Sequence, residues 1–460
     1  WEDEPSIVAW TLTDGDYQTH TFNAAGMLTS IADRHGNTTT VTYDDNYHLA
    51  AMISPSGKTY SFTTDAQGRI TSIALPNGAV LAYTYDAEGN LVTCQNANGN
   101  IIRYEYDDKH QMTAWYDANG NRIVKNTYDA NGRVTEQIDA NGNTSSLIYS
   151  DGKTETIDNM GNHTVYDYDA QYRTTAIHYA DGTVVKKTYD EQNHLASETD
   201  EMGNVTTYAY DAAGNRVQTT KADGGTTGSS YNDRNLIVTE TDANGNVTSY
   251  SYDDRDNLIS VTYADGTQET YTYDSSNRLI EQVSAAGNHK KYHYNGAMPD
   301  SYIDGTGHTW QYAYNAMNLL IEAKDPLGNR TVDAYDKEGR LLQHVTTDGG
   351  STSYEYDAVG NVLTIINPRG KKSTFTYDAM GNVLTGTDAL GQVISYTYDK
   401  NGEKVAETDT DGETVTYKYD ARARLISETD KEGGIAVYAY DKNGNLIQIT
   451  DAEGNTVKYQ

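Results

Sequence analysis

The sequence predicts an all-β fold, an antiparallel meander of about 40 short strands coiled into a β-spiral that forms a hollow shell. A 21-residue period runs through nearly the whole chain, and a fixed period of this size is typical of repeat architectures. Each period contains two turn signals, and the runs of five to seven residues between them are rich in Thr, Val, Ile and Tyr. Runs this short, with this composition, favour strands over helices.

Tyr followed by Asp marks the start of most repeats. Fifteen copies keep this pair and six degenerate copies fill the gaps, so that 21 units tile the chain, with single steps of 22, 19 and 20 residues. In the regular unit that starts at Tyr377, Asp378 opens the first turn, and Gly381 takes the positive φ that a tight turn requires. We predict the same structural role, and no catalytic role, at equivalent positions. The representative structural residues are Tyr85, Asp86, Gly89, Tyr210, Asp211, Gly214, Tyr377, Asp378, Gly381, Tyr398, Asp399 and Gly402.

These turns lead to an expectation about stability. Replacing Gly381 or Gly402 by Ala should cost about 1 kcal/mol or more, because Ala disfavours positive φ. Asp378→Asn should cost less, because Asn also supports tight turns.

Alternation along each strand predicts two different faces. It places Val415, Tyr417 and Tyr419 on one face, and we expect successive units to stack such Tyr rings into ladders. The opposite face is mostly Ser, Thr, Lys and Ala, which cannot form a dry core without stranding polar groups. We therefore expect a curved wall that is wet on at least one side. Successive coils should pair edge to edge and so cover unpaired backbone.

The repeat covers residues 1–460 as a single predicted domain, with an irregular edge at 1–16 and a first strand at Ile7–Thr13. Gly224–Ser230 is rich in Gly, Ser and Thr and is predicted to be a loop. Asp151-Gly152-Lys153 is predicted to be a shortened turn that accounts for the 19-residue step. Because the chain begins at Trp1, we expect it to be a fragment or a processed form.

Composition restricts the classes of function. The 34 basic and 66 acidic residues leave a net charge of −32, which repels phosphate backbones and argues against nucleic-acid binding. A single cysteine, Cys94, excludes an intrachain disulfide framework. The sequence contains no apolar run of 18 residues, so no membrane-spanning segment is predicted.

The pattern Tyr-Asp-x-x-Gly-Asn/Arg-Leu followed by a second Asp-x-x-Gly-Asn, as in Tyr85–Leu91 with Asn96–Asn100, resembles the YD-repeat family, also called Rhs repeats. This family includes bacterial polymorphic toxins, components of insecticidal toxin complexes, wall-associated proteins and teneurins. The resemblance implies a hollow β-spiral shell, which in toxin members encloses a C-terminal toxic domain. Asp325-Pro326-Leu327-Gly328-Asn329 superficially resembles the self-cleavage motif of such toxins. It occupies an ordinary second-turn position, so no protease residue is assigned.

The leading functional hypothesis is a non-catalytic shell in a secreted or cell-surface protein. Its partner is an enclosed cargo or toxin polypeptide, or neighbouring domains of a longer protein. The alternative is a surface adhesion module that binds glycans or partner proteins through Tyr and Asn. An enzyme is the weakest alternative, because the repeated Asp residues have a turn role.

No cofactor or metal site is predicted. The Asp/Asn-rich turns lack the bidentate Glu of a calcium loop. His289 and His293 would stand about 13 Å apart within one strand, too far for a shared zinc ion. Cys94 is predicted to be an ordinary strand residue.

Overall fold

A computed structural model describes residues 9–459, so the predicted edge at residues 1–8 and the start of the predicted first strand lie outside the described residues. Residues 9–459 form 44 strands and no helix, and the described strand pairs are antiparallel and consecutive along the chain. The predicted all-β fold class is confirmed. In the first half, the strands are β1 (Ala9–Thr13), β2 (Thr19–Asn23), β3 (Leu28–Ala32), β4 (Thr38–Tyr43), β5 (Leu49–Ile53), β6 (Thr59–Thr64), β7 (Ile70–Ala74), β8 (Val80–Tyr85), β9 (Leu91–Gln95), β10 (Ile101–Tyr106), β11 (Met112–Tyr116), β12 (Arg122–Tyr128), β13 (Val134–Asp139), β14 (Thr144–Ser150), β15 (Lys153–Ile157), β16 (His163–Tyr168), β17 (Thr174–His178), β18 (Val184–Tyr189), β19 (Leu195–Thr199), β20 (Val205–Tyr210), β21 (Arg216–Thr220) and β22 (Thr226–Tyr231). In the second half, they are β23 (Ile237–Thr241), β24 (Val247–Tyr252), β25 (Leu258–Thr262), β26 (Gln268–Tyr273), β27 (Leu279–Val283), β28 (His289–Tyr294), β29 (Pro299–Ile303), β30 (Thr309–Tyr314), β31 (Leu320–Lys324), β32 (Arg330–Tyr335), β33 (Leu341–Val345), β34 (Ser351–Tyr356), β35 (Val362–Ile366), β36 (Lys372–Tyr377), β37 (Val383–Thr387), β38 (Val393–Tyr398), β39 (Lys404–Thr408), β40 (Thr414–Tyr419), β41 (Leu425–Thr429), β42 (Ile435–Tyr440), β43 (Leu446–Thr450) and β44 (Thr456–Lys458).

A typical repeat consists of a six-residue strand ending in Tyr, a first turn, a five-residue strand and a second turn. In the first turn after β38, the Gly402 N–H donates to the Asp399 carbonyl oxygen at 3.1 Å, and Gly402 has φ 89°. This is the type I turn with a left-handed fourth residue that joins antiparallel strands. The register shifts at the end of β38, where Tyr398 pairs with Lys404 and Thr397 pairs with Ala406. This bulge recurs in most repeats, and sequence reasoning missed it.

Very little of the sheet is fully buried. Among residues 9–459, the buried apolar side chains are Val41, Ala79, Ala97, Ala114 and Val261, and no large side chain is fully enclosed. Along β36 the Tyr-bearing face is half-buried and the opposite face is exposed. The sheet therefore lacks a dry core, which agrees with the polar second face read from the sequence.

Two irregular segments have different outcomes. The predicted loop at Gly224–Ser230 is wrong, because Thr226–Tyr231 forms β22 and Gly228 pairs with Gln218. Strand pairing uses the backbone, so a Gly/Ser/Thr-rich run can still join the sheet. The shortened turn is confirmed, since Ser150 pairs with Lys153 and leaves a two-residue hairpin loop, Asp151-Gly152.

The strands fall into two compact units, each built from two separate stretches of chain. One unit comprises Trp1–Ile101 with Ser229–Thr352, and the other comprises Ile102–Gly228 with Ser353–Gln460. Assignment of the whole chain to a single domain remains a prediction. The two units are called unit 1 and unit 2 below.

Candidate functional site: tyrosine anchors and turn-to-turn contacts

In most repeats, the Tyr at the repeat start anchors its strand to the preceding repeat. The Tyr398 hydroxyl donates to the Val383 carbonyl oxygen at 2.8 Å, at the bulged end of β37. The sequence predicts that many Tyr hydroxyls need partners, but it does not identify this acceptor. The same bond, always to the residue 15 positions earlier, joins Tyr43 to Leu28, Tyr85 to Ile70, Tyr149 to Val134, Tyr189 to Thr174, Tyr210 to Leu195, Tyr252 to Ile237, Tyr294 to Leu279, Tyr335 to Leu320, Tyr377 to Val362, Tyr419 to Lys404 and Tyr440 to Leu425.

This bond leads to a local prediction. Tyr398→Phe removes the hydroxyl and keeps the ring, so it should cost about 1 kcal/mol. Backbone amides of β37 and β38 should then exchange with solvent about fivefold faster by native-state hydrogen exchange. Tyr396→Phe is the matched control, because among the described residues the Tyr396 hydroxyl has no hydrogen-bond partner. Equal acceleration in both variants would contradict the anchoring role.

Cations cover several of these Tyr rings. The Arg69 guanidinium lies 4.6 Å from the centroid of the Tyr85 ring, and its Nε donates to Asp65 Oδ2 at 2.7 Å. Direct Tyr–Tyr contacts occur around Tyr302, whose centroid lies 6.1 Å from those of Tyr292 and Tyr312. The predicted Tyr ladder is therefore wrong where an Arg of one repeat covers the Tyr of the next. The other Arg–Tyr pairs of this kind are Arg133 with Tyr149, Arg173 with Tyr189, Arg278 with Tyr294 and Arg424 with Tyr440.

The turn carboxylates are heavily hydrogen-bonded. Asp378 Oδ1 accepts the N–H groups of Met380 and Asn382 at 2.9 and 2.8 Å. Its Oδ2 accepts the Nδ2 groups of Asn382 and Asn141, both at 2.9 Å. Burial alone would raise the pKa of Asp378, but the bonds from Asn382 and Asn141 hold it below its usual value.

The other representative residues occupy the same geometry. Asp86 Oδ1 and Oδ2 accept the N–H and Nδ2 groups of Asn90, both at 2.8 Å. Asp211 makes the equivalent bonds with Asn215 at 2.9 and 3.0 Å, and Asp399 Oδ1 accepts the N–H of Asn401 at 2.9 Å. The glycine φ values are 93° at Gly89, 85° at Gly214, 88° at Gly381 and 89° at Gly402.

Turn side chains, most often Asn, link turns that are far apart in the chain, and these contacts are called the turn-to-turn seam. Its Asn–Asp bonds join residues that are 237 to 243 positions apart, always within one unit. The seam bonds join Asn98 to Asp336, Asn119 to Asp357, Asn141 to Asp378, Asn401 to Asp158 and Asn443 to Asp200, at 2.7 to 2.9 Å.

The seam corrects the expectation that strand edges cover one another. In a meander each interior strand pairs with the strands before and after it, so its backbone is already satisfied. The border of such a ribbon consists of turns, and the long-range contacts therefore use turn side chains. Sequence reasoning missed these Asn residues; their recurrence as the third residue of a turn is the available signal.

Arg422 forms the most highly connected part of the seam in unit 2. Its Nη2 lies 2.8 Å from Glu201 Oε1, and its Nη1 lies 3.7 Å from Asp181 Oδ2. The guanidinium also lies 4.2 Å from the centroid of the Tyr179 ring. Burial acts to raise the pKa of Asp181, but hydrogen bonds from Thr183 and the charges of Arg422 and Arg424 lower it overall.

The turn carboxylates should make stability depend on acid. Hydrogen bonds from the Thr306 hydroxyl and the His308 N–H lower the pKa of Asp304 from 3.8 to about 2. A carboxylate with a lowered folded-state pKa contributes full stability above its unfolded pKa and loses it as the pH falls through the folded value. We therefore expect the thermal midpoint, followed by circular dichroism, to fall between about pH 4 and pH 2. Asp304→Asn should make this fall shallower; an equally steep fall in that variant would contradict the assignment.

Titratable side chains do not converge on a metal site in the described part of the chain. His289, His293 and His308 each pair with a different carboxylate, Glu281, Asp300 and Asp304. Cys94 lies half-buried in β9, and burial raises the pKa of its thiol. Among residues 9–459, no helix has the length and hydropathy to traverse a lipid bilayer.

The absence of a metal requirement remains a prediction. Turn oxygens such as those of Asp378 already accept N–H and amide donors, so calcium would have to displace these bonds. Millimolar calcium or a chelator should shift the thermal midpoint by no more than about 2 °C. A clear rise with calcium and a fall with chelator would overturn this prediction.

Comparisons with known proteins agree with this architecture. The teneurin YD-shell family model matches residues 4–157, 78–199 and 166–368, and the RHS repeat model matches residues 356–387, 377–414 and 398–435. No curated protein matches the chain by sequence.

Similar solved structures share the fold at low sequence identity. The TcdB2-TccC3-Cdc42 crystal structure has a TM-score of 0.70 and 15% identity, over 94% of this chain and 34% of that chain. TcdB2-TccC3 without its hypervariable C-terminal region gives 0.71 and 15%, over 96% and 35%. The Tc holotoxin pore of Photorhabdus luminescens gives 0.70 and 15%, over 96% and 34%. The chain thus spans about a third of these solved chains. The family matches confirm the resemblance read from the repeats: the chain belongs to the teneurin YD-shell family, and its C-terminal part also carries RHS repeats.

Proposed function

We propose that this chain forms part of the wall of a YD/RHS shell that encloses a cargo or toxin polypeptide. The observation that carries this proposal is the sheet itself, which has half-buried faces and almost no buried apolar side chains among residues 9–459. A sheet without a dry core on either face suits a wall between two wet spaces better than the centre of a solid domain. Turn-to-turn contacts within each unit would hold such a wall together.

The proposed role is structural and not catalytic. Asp378 uses both carboxylate oxygens in turn and seam bonds, so neither oxygen is free to act as a base. The fold that this chain shares with the Tc structures supports a shell, and the identity of the cargo is a separate question. Neighbouring domains of a longer protein are the other partners that we propose, and export or surface display is the expected location.

Two measurements test the shell proposal. A solid globule of 460 residues should have a radius of gyration of about 23 Å. Small-angle scattering should give a clearly larger value, and a value at or below about 23 Å would exclude the wall. Electron cryomicroscopy of the protein that contains this chain should then show polypeptide density inside the wall. An interior without polypeptide would contradict the encapsulation role but not the proposal that the chain forms a wall.

A cavity beside Gly386 in unit 2 favours adhesion as a second candidate function. Gly386 pairs with Phe375 and Ile394, and its missing side chain opens a cavity of about 390 Å³ that Tyr396 and Asp388 also line. Equivalent positions facing Tyr in the next two repeats carry a Glu side chain. An aromatic face beside carboxylates fits the apolar face and hydroxyls of a sugar ring.

Glycan-array binding tests this second candidate. Gly386→Glu restores the side chain that other repeats carry and should abolish binding at this cavity. A Cβ at Gly386 would meet the Phe375 ring at 3.5 Å, an ordinary contact, so the variant should fold. Binding that is absent from the parent protein, or unchanged in Gly386→Glu, would eliminate this glycan site.

A further inference from the structure

Two arginines at equivalent turn positions in the turn-to-turn seam have different residues opposite them. Arg422 and Arg255 are each the third residue of a first turn. Arg422 pairs with Glu201, which lies 221 residues earlier as the second residue of its turn. The residue 221 positions before Arg255 is Arg34, again the second residue of its turn. Unit 1 therefore has an Arg at the turn position where unit 2 has a Glu.

Contacts in unit 1 confirm that these turns meet. His35 Nδ1 lies 2.9 Å from the Arg255 carbonyl oxygen, and Asn277 Nδ2 donates to the His35 carbonyl oxygen at 2.5 Å. Arg34 and Arg255 line the same cavity, which has a volume of about 950 Å³. Two like charges that line one cavity repel each other, and an anion bound in the cavity offsets this repulsion.

Neither guanidinium forms an ion pair among the described residues, although the charge of Arg255 contributes to the lowered pKa of Asp253. Arg255 Nη1 donates to the Ser275 carbonyl oxygen at 2.7 Å and to Asn277 Oδ1 at 3.3 Å. Arg34 lies over the Tyr17 ring, 4.9 Å from its centroid. These neutral partners hold the guanidiniums in place but do not neutralise them. This is unusual in a chain with 66 acidic and 34 basic residues.

The remaining lining completes a site for an anion. Ser56, Ser275 and Ser276 supply hydroxyl donors. Arg278 also lines the cavity, but its Nη2 is already paired with Asp274 at 2.7 Å. Asp254 contributes a carboxylate to the cavity lining, and this residue is exposed to solvent.

We propose that this cavity binds a tetrahedral oxyanion, phosphate or sulfate, either free or as the ester of a small molecule. Arg34 and Arg255 approach it from the two turns, and each guanidinium can donate two N–H groups to its oxygens. The bound anion would then link the two stretches of unit 1, as Glu201 and Arg422 link those of unit 2. The proposal is independent of what the shell encloses.

The test compares thermal midpoints in sodium phosphate, sodium sulfate, glucose 6-phosphate and sodium chloride at equal ionic strength. Phosphate, sulfate or the phosphate ester should raise the midpoint above that in chloride, with saturation. Arg34→Gln and Arg255→Gln should each abolish this rise. Arg369→Gln should retain it, because Arg369 is exposed in unit 2 and has no ion pair among the described residues.

A charge reversal provides an independent readout. Arg34→Glu recreates the Glu201–Arg422 pair, so it should raise the midpoint in chloride and abolish the response to oxyanions. If only phosphate or sulfate raises the midpoint, the ligand is a free ion. If only glucose 6-phosphate raises it, the ligand is an ester. Equal midpoints in all four salts, or a full response in Arg34→Glu, would overturn the proposal.

Discussion

Replacing Arg422 with Met is expected to destabilise unit 2 by about 2 to 3 kcal/mol. The substitution keeps an apolar stem but removes the guanidinium that bonds Glu201 and Asp181. The Glu201 side chain is 11% exposed, so the loss leaves a largely buried carboxylate without its cation. Full burial would cost about 3 to 5 kcal/mol, and the residual exposure here reduces that figure.

Hydrogen exchange can locate this effect. Arg422→Met should accelerate exchange in the turns at 179–183 and 200–204 as well as in its own turn, because the guanidinium joins all three. Arg369→Met is the control, since it removes an exposed Arg of the same unit. If exchange accelerates only around residue 422, the seam does not couple the two stretches of unit 2.

Gly402→Ala is expected to cost about 1 to 2 kcal/mol, because Ala must adopt a left-handed conformation. Gly402 has φ 89°, whereas Ala423, the Ala found at this turn position, has φ 57°. A Cβ at Gly402 meets nothing closer than 4.0 Å, so the cost is conformational and not steric. Local hydrogen exchange across β38 and β39 should measure it.

Asp→Asn variants of the turn carboxylates are the comparison for Gly402→Ala. Asp399→Asn should have the smallest effect, because Asn Oδ1 can still accept the N–H groups of Asn401 and Glu403. Asp378→Asn should cost more than Asp399→Asn, since it also loses the Oδ2 bonds from Asn382 and Asn141. The sequence alone predicts that Asp378→Asn lowers the free energy of unfolding less than a Gly→Ala change does. Because Asp378→Asn also loses the seam bond to Asn141, we expect the two losses to be closer in size. A larger loss from Asp399→Asn than from Gly402→Ala would contradict the turn chemistry.

The short-range features of this protein could be predicted from its sequence. Strands, turns and the positive φ at Gly381 depend on chemistry within a few residues, and that chemistry repeats about every 21 positions. The bulge found in most repeats was missed because it depends on how two strands pair. The acceptor for the Tyr398 hydroxyl was missed for the same reason, since Val383 lies one strand away.

The long-range contacts were decided only by tertiary structure. Asn141 and Asp378 are separated by 237 residues, and nothing within their own repeats indicates that they meet. Strands in a sheet twist by small angles that accumulate from strand to strand, so local chemistry does not specify the partner of a distant turn. The same holds for Arg422 beside Glu201 and for Arg255 in the cavity that Arg34 also lines. Local chemistry in the sequence thus determined the repeat, whereas the tertiary path of many strands determined which repeats touch.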